Sequence, residues 1–436
     1  MARIAHLIRE MQELGDLLAK CTRCGMCQAV CPLFSQTGHE GDVARGKLAL
    51  LDGLAQHLLD NPEKTAERLN RCLLCGACER NCSSGVQVLE IFLKARAILA
   101  GYNGLPAAKK MMLRRLLTRP RTFDRVMAWA ARHQHLFLKP AGGLLGASCG
   151  RIGPSYLTER HMAPLAAVPL HRRIDSLDTP AAAGGPRVAF FPGCLLDKVF
   201  PEAAMASLKV LRHFKAGIFM PKDQGCCGIP ALAAGDEESF RRLVRHNMEL
   251  FEGGAWEYLV TACATCTFTI KKIWPMMAAQ FPAALRKRIV QLSERAIDIS
   301  QLLVSIIGLP PEPPPDGNGI PITYHDPCHL NKSFGITVEP RRLIAANPVY
   351  RLVEMPLAGQ CCGLGGSFSI DHYEISSAIG ERKRQGVLAS GCAVVATGCP
   401  ACMLQLMDQL SKSGREIAVR HTVEIFAEGL PGGIQG

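Results

Sequence analysis

The sequence predicts an α+β multidomain protein: a helical, cysteine-rich N-terminal module, then two tandem α/β units with small parallel sheets. Three observations predict it. Eight of the 20 cysteines fall within residues 1–103, among helical patterns. Two later stretches repeat one cysteine order, Cys194, Cys226–Cys227, Cys263 and Cys266 against Cys328, Cys361–Cys362, Cys399 and Cys402. The intervals are 32 and 37 residues in the first copy and 33 and 38 in the second, so one structural unit recurs. In both copies short β-branched and aromatic runs precede the cysteines, and amphipathic helical segments lie between them. Strand-then-helix alternation gives parallel sheets.

The elements follow in order. Residues 1–103 form the helical module and 104–184 a basic helical connector. Residues 185–316 form the first repeat and 317–436 the second. The Pro/Gly-rich stretch 309–321, LPPEPPPDGNGIP, reads as an exposed linker between the repeats. Strands are expected at RVAFF and YLVTA in the first repeat, and at PITYH and AVVAT in the second. Each runs toward a cysteine, and ligands of open α/β sheets gather beyond the carboxyl ends of strands.

The composition narrows the function. With 48% hydrophobic and 20% charged residues, the chain is an ordinary globular one. No apolar run approaches the ~18 residues of a membrane span. The first twenty residues are charged and amphipathic, with neither an apolar h-region nor a small-residue cleavage site, so the protein is expected in the cytoplasm. Thiols stay reduced there, and this many cysteines point to metal rather than to disulfides. Adjacent cysteines also suit a bridge poorly: neighbouring Cα atoms lie ~3.8 Å apart, below the usual ~4.4–6.8 Å. The net charge of +12 does not signal nucleic acid. Metal-bound thiolates would lower it, and aromatics, at 6%, are not interleaved with basic residues. No nucleic-acid partner is expected.

The N-terminal runs are CTRCGMCQAVCP, with Cys21, Cys24, Cys27 and Cys31, and CLLCGACERNCS, with Cys72, Cys75, Cys78 and Cys82. C-x2-C-x2-C-x3-C, twice, is the pattern of two [4Fe–4S] cubane clusters. Three closely spaced thiolates wrap one corner of a cubane, and the displaced fourth ligates the other cluster. Cys21, Cys24, Cys27 and Cys82 therefore make one set, and Cys72, Cys75, Cys78 and Cys31 the other. Structural zinc prefers two ligand pairs around one ion. Ser83 stands where proline usually follows the fourth cysteine, which alters the turn and removes no ligand. The long spacer with its helical pattern DVARGKLALLDGLAQHLLD resembles the helical ferredoxin module of respiratory dehydrogenase iron–sulfur subunits.

Five cysteines per repeat are one too many for a four-thiolate cubane. The Cys-Cys-Gly triplets at Cys226–Gly228 and Cys361–Gly363 resemble the cysteine-rich CCG domain. In heterodisulfide reductase its complete motifs bind non-cubane [4Fe–4S] clusters through all five cysteines. The resemblance implies up to two further clusters, on Cys194, Cys226, Cys227, Cys263 and Cys266 and on Cys328, Cys361, Cys362, Cys399 and Cys402. A zinc ion or an incomplete cluster in one repeat is the alternative. Gly225, Gly228 and Gly363 are expected to allow close backbone approach and positive φ, leaving N–H groups free to face cluster sulfides. His325 and His329 flank Cys328 and read either as neighbours of the cofactor or as capping and packing groups. Cys149 and Cys392 read as buried free thiols.

The layout resembles the CCG-bearing iron–sulfur subunits of three related groups: glycolate or lactate oxidase, anaerobic glycerol-3-phosphate dehydrogenase, and heterodisulfide reductase. YHDPCHL, CCGLGGSF, GCPACMLQL and VRHTVEIF are most similar to the glycolate/lactate group. That group implies an electron-relay subunit. FAD would sit on a partner 2-hydroxy-acid dehydrogenase subunit, and electrons would pass toward quinone or another membrane acceptor. Some members of the group have lost paired cysteines, whereas this chain keeps all ten, which leaves a disulfide-reducing catalytic role open. No G-x-G-x-x-G, P-loop or Ser/His/Asp arrangement stands out, so no catalytic residue is assigned and the oxidation of the organic substrate is expected on the partner. The basic amphipathic segment 109–140 reads as a membrane-surface element on the inner face of the cell membrane, a partner-docking element or a solvated connector.

Overall fold

The computed structural model describes residues 2–140, 145–309 and 319–431. Most of the expected linker, residues 310–318, lies outside them. The chain packs as two compact units, neither contiguous in sequence. The first combines Met1–Thr118 with Gly228–Arg242 and Gly363–Ile379. The second combines Arg119–Cys227, Leu243–Cys362 and Gly380–Gly436. The two segments that join the first unit start at equivalent points of the repeat, directly after Cys227 and Cys362.

The first unit is helical. Ala44–Ala55 forms where the spacer pattern places a helix, burying Leu48, Leu51 and Leu54 on one face. Pro62–Asn70 starts on Asn61, whose side chain accepts the Lys64 N–H at 2.9 Å, with Pro62 in the first turn. Val88–Asn103 buries Ile91, Phe92, Ala95 and Leu99. Its first turn receives the Glu79 carboxylate, which accepts from the Leu89 N–H at 2.8 Å. Gly235 packs onto this helix so closely that a Cβ would stand 2.5 Å from the Arg96 carbonyl oxygen.

The second unit holds two sheets. One has the order β1-β3-β2-β4-β5, from β1 (Leu177–Asp178), β2 (Arg187–Phe191), β3 (Gly217–Met220), β4 (Tyr258–Thr261) and β5 (Ala296–Asp298). The other has the order β7-β6-β8-β9, from β6 (Ile320–Tyr324), β7 (Tyr350–Leu352), β8 (Val394–Thr397) and β9 (Ala418–His421). All pairs are parallel except β1 with β3. Without β1 the two orders are the same, so the cysteine repeat is a repeat of topology. The central strands β2, β4, β6 and β8 are the four read from sequence. They are apolar because the sheets are buried: Val188, Phe190, Leu259, Val260, Ile322 and Val395 are each fully covered.

Candidate iron–sulfur sites

The two N-terminal cysteine loops share one conformation. Arg23 and Leu74 both take positive φ, 57° and 54°, and so do Gly25 and Gly76, at 84° and 75°. Side chains rarely tolerate that region, so holding Arg23 and Leu74 there takes surrounding structure. Cys21, Cys24, Cys27, Cys78 and Cys82 line one cleft with Arg45, Leu48, Val86 and Val88. Cys24 is exposed. Cys31 lies instead with the second loop: burial pushes its thiol up to about 11, and nearby Cys72 and Cys75 add to the effect. Burial also raises Cys78 well above its ordinary value, and Cys72, Cys75, Cys31 and Cys27 add to the effect. Cys82 thus lies with the first loop and Cys31 near Cys72 and Cys75 of the second, while Cys78 lies close to both.

Two buried cations, which no motif announces, stand beside the second loop. The Arg96 guanidinium donates to the carbonyls of Leu69 (2.9 Å), Asn70 (3.3 Å), Cys72 (2.8 Å) and Ala233 (2.9 Å). Lys47 donates to the Asp42 carbonyl. Burial lowers both pKa values, while the Cys72 thiol pulls the other way. From the Gly363–Ile379 segment, Gly365 approaches the same loop, leaving only 3.1 Å between a Cβ there and Leu73 Cα.

In the second unit the ten paired-motif cysteines sit just beyond strand ends and on the loops facing them. Cys263 and Cys399 take the same backbone angles, φ −143° with ψ 108° and 111°, and cap the helices Ala264–Phe268 and Pro400–Leu410. Cys226, Cys227, Cys263, Cys266, Cys361, Cys362, Cys399 and Cys402 are buried, and Cys194 and Cys328 are half-buried. The thiols form a chain of neighbours. Cys194 Sγ lies 4.0 Å from Cys226 Sγ, and Cys362 Sγ 3.5 Å from Cys402 Sγ. Hydrogen bonds from Cys263 and Cys402 hold the Cys399 thiol well below its ordinary value, so the two repeats meet sulfur to sulfur. The contacts with Cys194 and Cys227, and burial, push Cys226 well up; those with Cys227 and Cys263, and burial, do the same for Cys266.

This donor set fits iron–sulfur clusters. Contact and burial raise Cys226, Cys263, Cys266 and Cys402, so these thiols hold protons, and a metal that displaces those protons converts them to thiolates. Two thiolates on one tetrahedral ion stand ~3.8 Å apart, given metal–sulfur bonds of about 2.3 Å, close to both observed separations.

The glycines divide. Gly228 and Gly363 both take φ of +97°, the region where glycine alone is unstrained, so each Cys-Cys-Gly makes the same turn. Gly225 corrects the expectation. It is not among the positive-φ residues, and its N–H is not free but donates to Asn247 Oδ1 at 3.0 Å. Close packing suits glycine there, since a Cβ would lie 3.3 Å from both His246 and Leu243, whose side chains would have to give. Asn247 also donates to the Cys226 carbonyl at 3.0 Å, and Trp274 Nε1 to the Cys227 carbonyl at 2.9 Å, so the first cysteine pair is pinned through its backbone. In the second repeat Lys383 holds the Leu357 and Ala358 carbonyls, and burial draws its ammonium down to about 8. Sequence offered no signal for Asn247, Trp274 or Lys383.

The histidines divide too. His329 packs, its ring stacked on Phe268 at 4.2 Å with Nδ1 3.2 Å from Thr265 Oγ1. His325 is fully buried, neither ring nitrogen has a hydrogen-bond partner, and it lies with the Cys362 and Cys402 sulfurs, all within 4.8 Å of one another. Burial pulls it down to about 3, so the imidazole is neutral. The Ala358 backbone lies near enough to work against that shift, but outside hydrogen-bond geometry. Cys149 and Cys392 are buried, as read.

Comparison with known proteins agrees with this geometry. The family model of a 4Fe-4S dicluster domain matches residues 17–86, and that of the CCG cysteine-rich domain matches 188–271 and 322–407. The chain is 28% identical over 454 residues to the "Probable glycolate oxidase iron-sulfur subunit" of Bacillus subtilis, across 98% of this chain and 97% of that one. It is 24% identical to a subunit of the dihydromethanophenazine:CoB–CoM heterodisulfide reductase of Methanosarcina barkeri, across 95% and 94%. It is 29% identical to lactate utilization protein A of an Exiguobacterium species, across 56% of this chain and 98% of that one. A crystal structure of a hypothetical protein from Helicobacter pylori superposes with a TM-score of 0.53 at 8% identity, across 98% of this chain and 76% of that one, a likeness of fold alone. With an N-terminal 4Fe–4S dicluster domain and two cysteine-rich repeats, the chain belongs to the CCG cysteine-rich-domain superfamily of iron–sulfur proteins.

Proposed function

We propose that this chain is the electron-transfer subunit of an FAD-linked 2-hydroxy-acid dehydrogenase acting on glycolate or lactate. It relays electrons from a flavoprotein partner toward quinone or another membrane acceptor. The observation that carries this reading is the end-to-end similarity to a glycolate oxidase iron–sulfur subunit, joined to a donor set made of thiols. The proposed ligands are Cys21, Cys24, Cys27 and Cys82 for one cubane and Cys31, Cys72, Cys75 and Cys78 for the other. The five cysteines of each repeat hold one further cluster. When bound, such clusters supply one-electron transfer at potentials set by charge, hydrogen bonds and solvent exposure.

The chain's own residues position and insulate. Asn247 and Trp274 fix the first cysteine pair, and Gly228 and Gly363 set both turns. Lys47 and Arg96 bring positive charge to the Cys72 loop, which favours the reduced form of a cluster there. The exposed Cys24 marks the N-terminal end as the place where a redox partner comes near.

Among the described residues no helix is long and apolar enough to cross a membrane. The Pro120–Phe137 helix exposes Val126, Trp129, Leu136 and Phe137 beside Arg125 and Arg132. An aromatic-rich apolar face with basic flanks suits an anionic bilayer surface, so we propose a peripheral site on the inner face of the cell membrane.

The test is purification with native partners. An FAD protein that accompanies the chain, with glycolate- or lactate-dependent dye reduction only in the complex, is expected. A second reading, reduction of a disulfide at a non-cubane cluster, is favoured by the full set of ten cysteines and the similarity to a heterodisulfide reductase subunit. Disulfide reduction by the isolated chain with an artificial donor would select it.

A further inference from the structure

The two repeats share topology but not the wall of their sites. Alignment of Cys194 with Cys328 sets Ala189 opposite Thr323, Phe190 opposite Tyr324 and Phe191 opposite His325. Alignment of Cys263 with Cys399 sets Thr261 opposite Thr397 and Thr267 opposite Met403. At these positions the first repeat leaves no polar atom unmet: Phe190 and Phe191 are fully buried and apolar, and Thr261 Oγ1 bonds Thr267 Oγ1 at 2.6 Å, although Gln224 Oε1 beside the cysteine pair is also without a partner. The second repeat is not. Tyr324 Oη, both ring nitrogens of His325 and Thr397 Oγ1 are buried without a hydrogen-bond partner. Thr397 lacks one because methionine stands where the first repeat has Thr267. Buried polar atoms without partners are costly, and a buried ring N–H without one beside two thiols points to an acceptor that occupies the site in the working protein.

His325 is the member in reach of the thiols, within 4.8 Å of Cys362 and Cys402 Sγ. Its counterpart Phe191 borders Gly193, where a Cβ would stand 3.4 Å from the ring and 2.8 Å from Cys266 Sγ. Equivalent positions in the two repeats, both in the neighbourhood of the cysteine sulfurs, are thus filled by a hydrogen-bond donor in one and by a hydrocarbon in the other.

We propose that His325 donates a ring N–H to a sulfur of the cluster held by the second repeat, making that centre the more oxidising of the pair. The inference rests on the proposed function, which places a cluster in each repeat. Hydrogen bonds to cluster sulfur stabilise the reduced, more negative state and raise its potential. With clusters bound, the second site would be the one that receives an electron from the first, and Cys263 and Cys399, in contact between the repeats, would lie between them; such a transfer forms and breaks no bond and requires no proton. The second repeat is the terminal station of the relay, and His325 is a positioning residue for the electron.

The test uses the full chain, purified anaerobically, with redox titration followed by EPR. Replacing His325 by the residue of the first repeat, H325F, should leave the iron content unchanged. It should lower one non-cubane potential by about a tenfold change in the reduction equilibrium, about 59 mV for one electron. The reciprocal F191H should raise the other. Unchanged potentials in a fully loaded H325F would overturn the proposal. Wild-type protein carrying 15N-histidine gives a check that needs no variant: imidazole-nitrogen hyperfine coupling is expected on one of the two centres, and its absence from both would overturn the proposal. Iron for only two clusters in the wild type would instead remove the reading beneath it, and this inference with it.

Discussion

Asn247 grips Cys226 from 21 residues away in sequence: its Nδ2 donates to the Cys226 carbonyl at 3.0 Å while its Oδ1 accepts the N–H of the preceding Gly225. One amide thus orients the loop that presents the first cysteine pair. Asn247→Ala leaves a buried N–H and a buried C=O unmet, a loss of about 2–4 kcal/mol. Thermal unfolding should show that loss. Iron analysis should show up to one cluster missing, ~4 of ~16 atoms, with the cubane signals intact.

The proposed crossing of the N-terminal ligands predicts paired defects. Cys82→Ser should disturb the cluster of the Cys21–Cys27 loop, and Cys31→Ser that of the Cys72–Cys78 loop, although each serine lies in the opposite run. EPR of the reduced variants separates the two, because only the first cluster has the exposed Cys24 and only the second has Arg96 and Lys47 beside it. Each variant disturbing the cluster of its own run would contradict the assignment.

Asp298 predicts a pH dependence. Burial raises its carboxyl to about 6 even though Ser300 N–H donates to it at 2.9 Å. The folded state therefore holds this proton between the ordinary value of 3.8 and about 6, where the unfolded chain has lost it. Stability contributed by the site falls as pH rises through that window. Asp298→Asn keeps the acceptor for Ser300 and removes the charge. Its stability advantage over the parent should grow by about 1–1.5 kcal/mol between pH 5 and pH 7.5, as read by denaturant unfolding. A difference that does not change with pH would contradict the burial argument.

Membrane contact predicts a surface variant with normal clusters. Trp129 and Phe137 are 58% and 59% exposed on the Pro120–Phe137 helix, their rings 6.4 Å apart. Replacing both by aspartate should abolish sedimentation with vesicles rich in anionic lipid and leave iron content and EPR unchanged. Retained sedimentation would remove this helix as the contact.

What the sequence reveals and what it conceals follow from range. The strands β2, β4, β6 and β8 were legible because each is a short apolar run ending at a cysteine. The helix Ala44–Ala55 was legible from its 3.6-residue periodicity, and the dicluster domain from cysteine spacings that cluster geometry imposes locally. Asn247, Trp274 and Arg96 were not, because each acts through backbone carbonyls far along the chain: Trp274 reaches Cys227 across 47 residues and Arg96 reaches Ala233 across 137. A carbonyl has no sequence signature, so such a partner cannot be read from residue types. Gly225 was misread for the same reason, since its role is set by Asn247, Leu243 and His246 packing over it. Nor did a local pattern mark Gly228–Arg242 and Gly363–Ile379 as parts of the helical unit; only packing such as Gly235 on Arg96 and Gly365 on Leu73 reveals that.

The central claim is that this chain carries four iron–sulfur clusters, two of them in the cysteine-rich repeats. Iron and zinc counting on anaerobically purified protein, with EPR of the same sample, tests it most directly. The account predicts roughly 16 iron atoms per chain, no stoichiometric zinc, and a paramagnetic signal unlike that of a cubane in at least one redox state. About eight iron atoms, with zinc or nothing in the repeats and only cubane signals in every state, would contradict it.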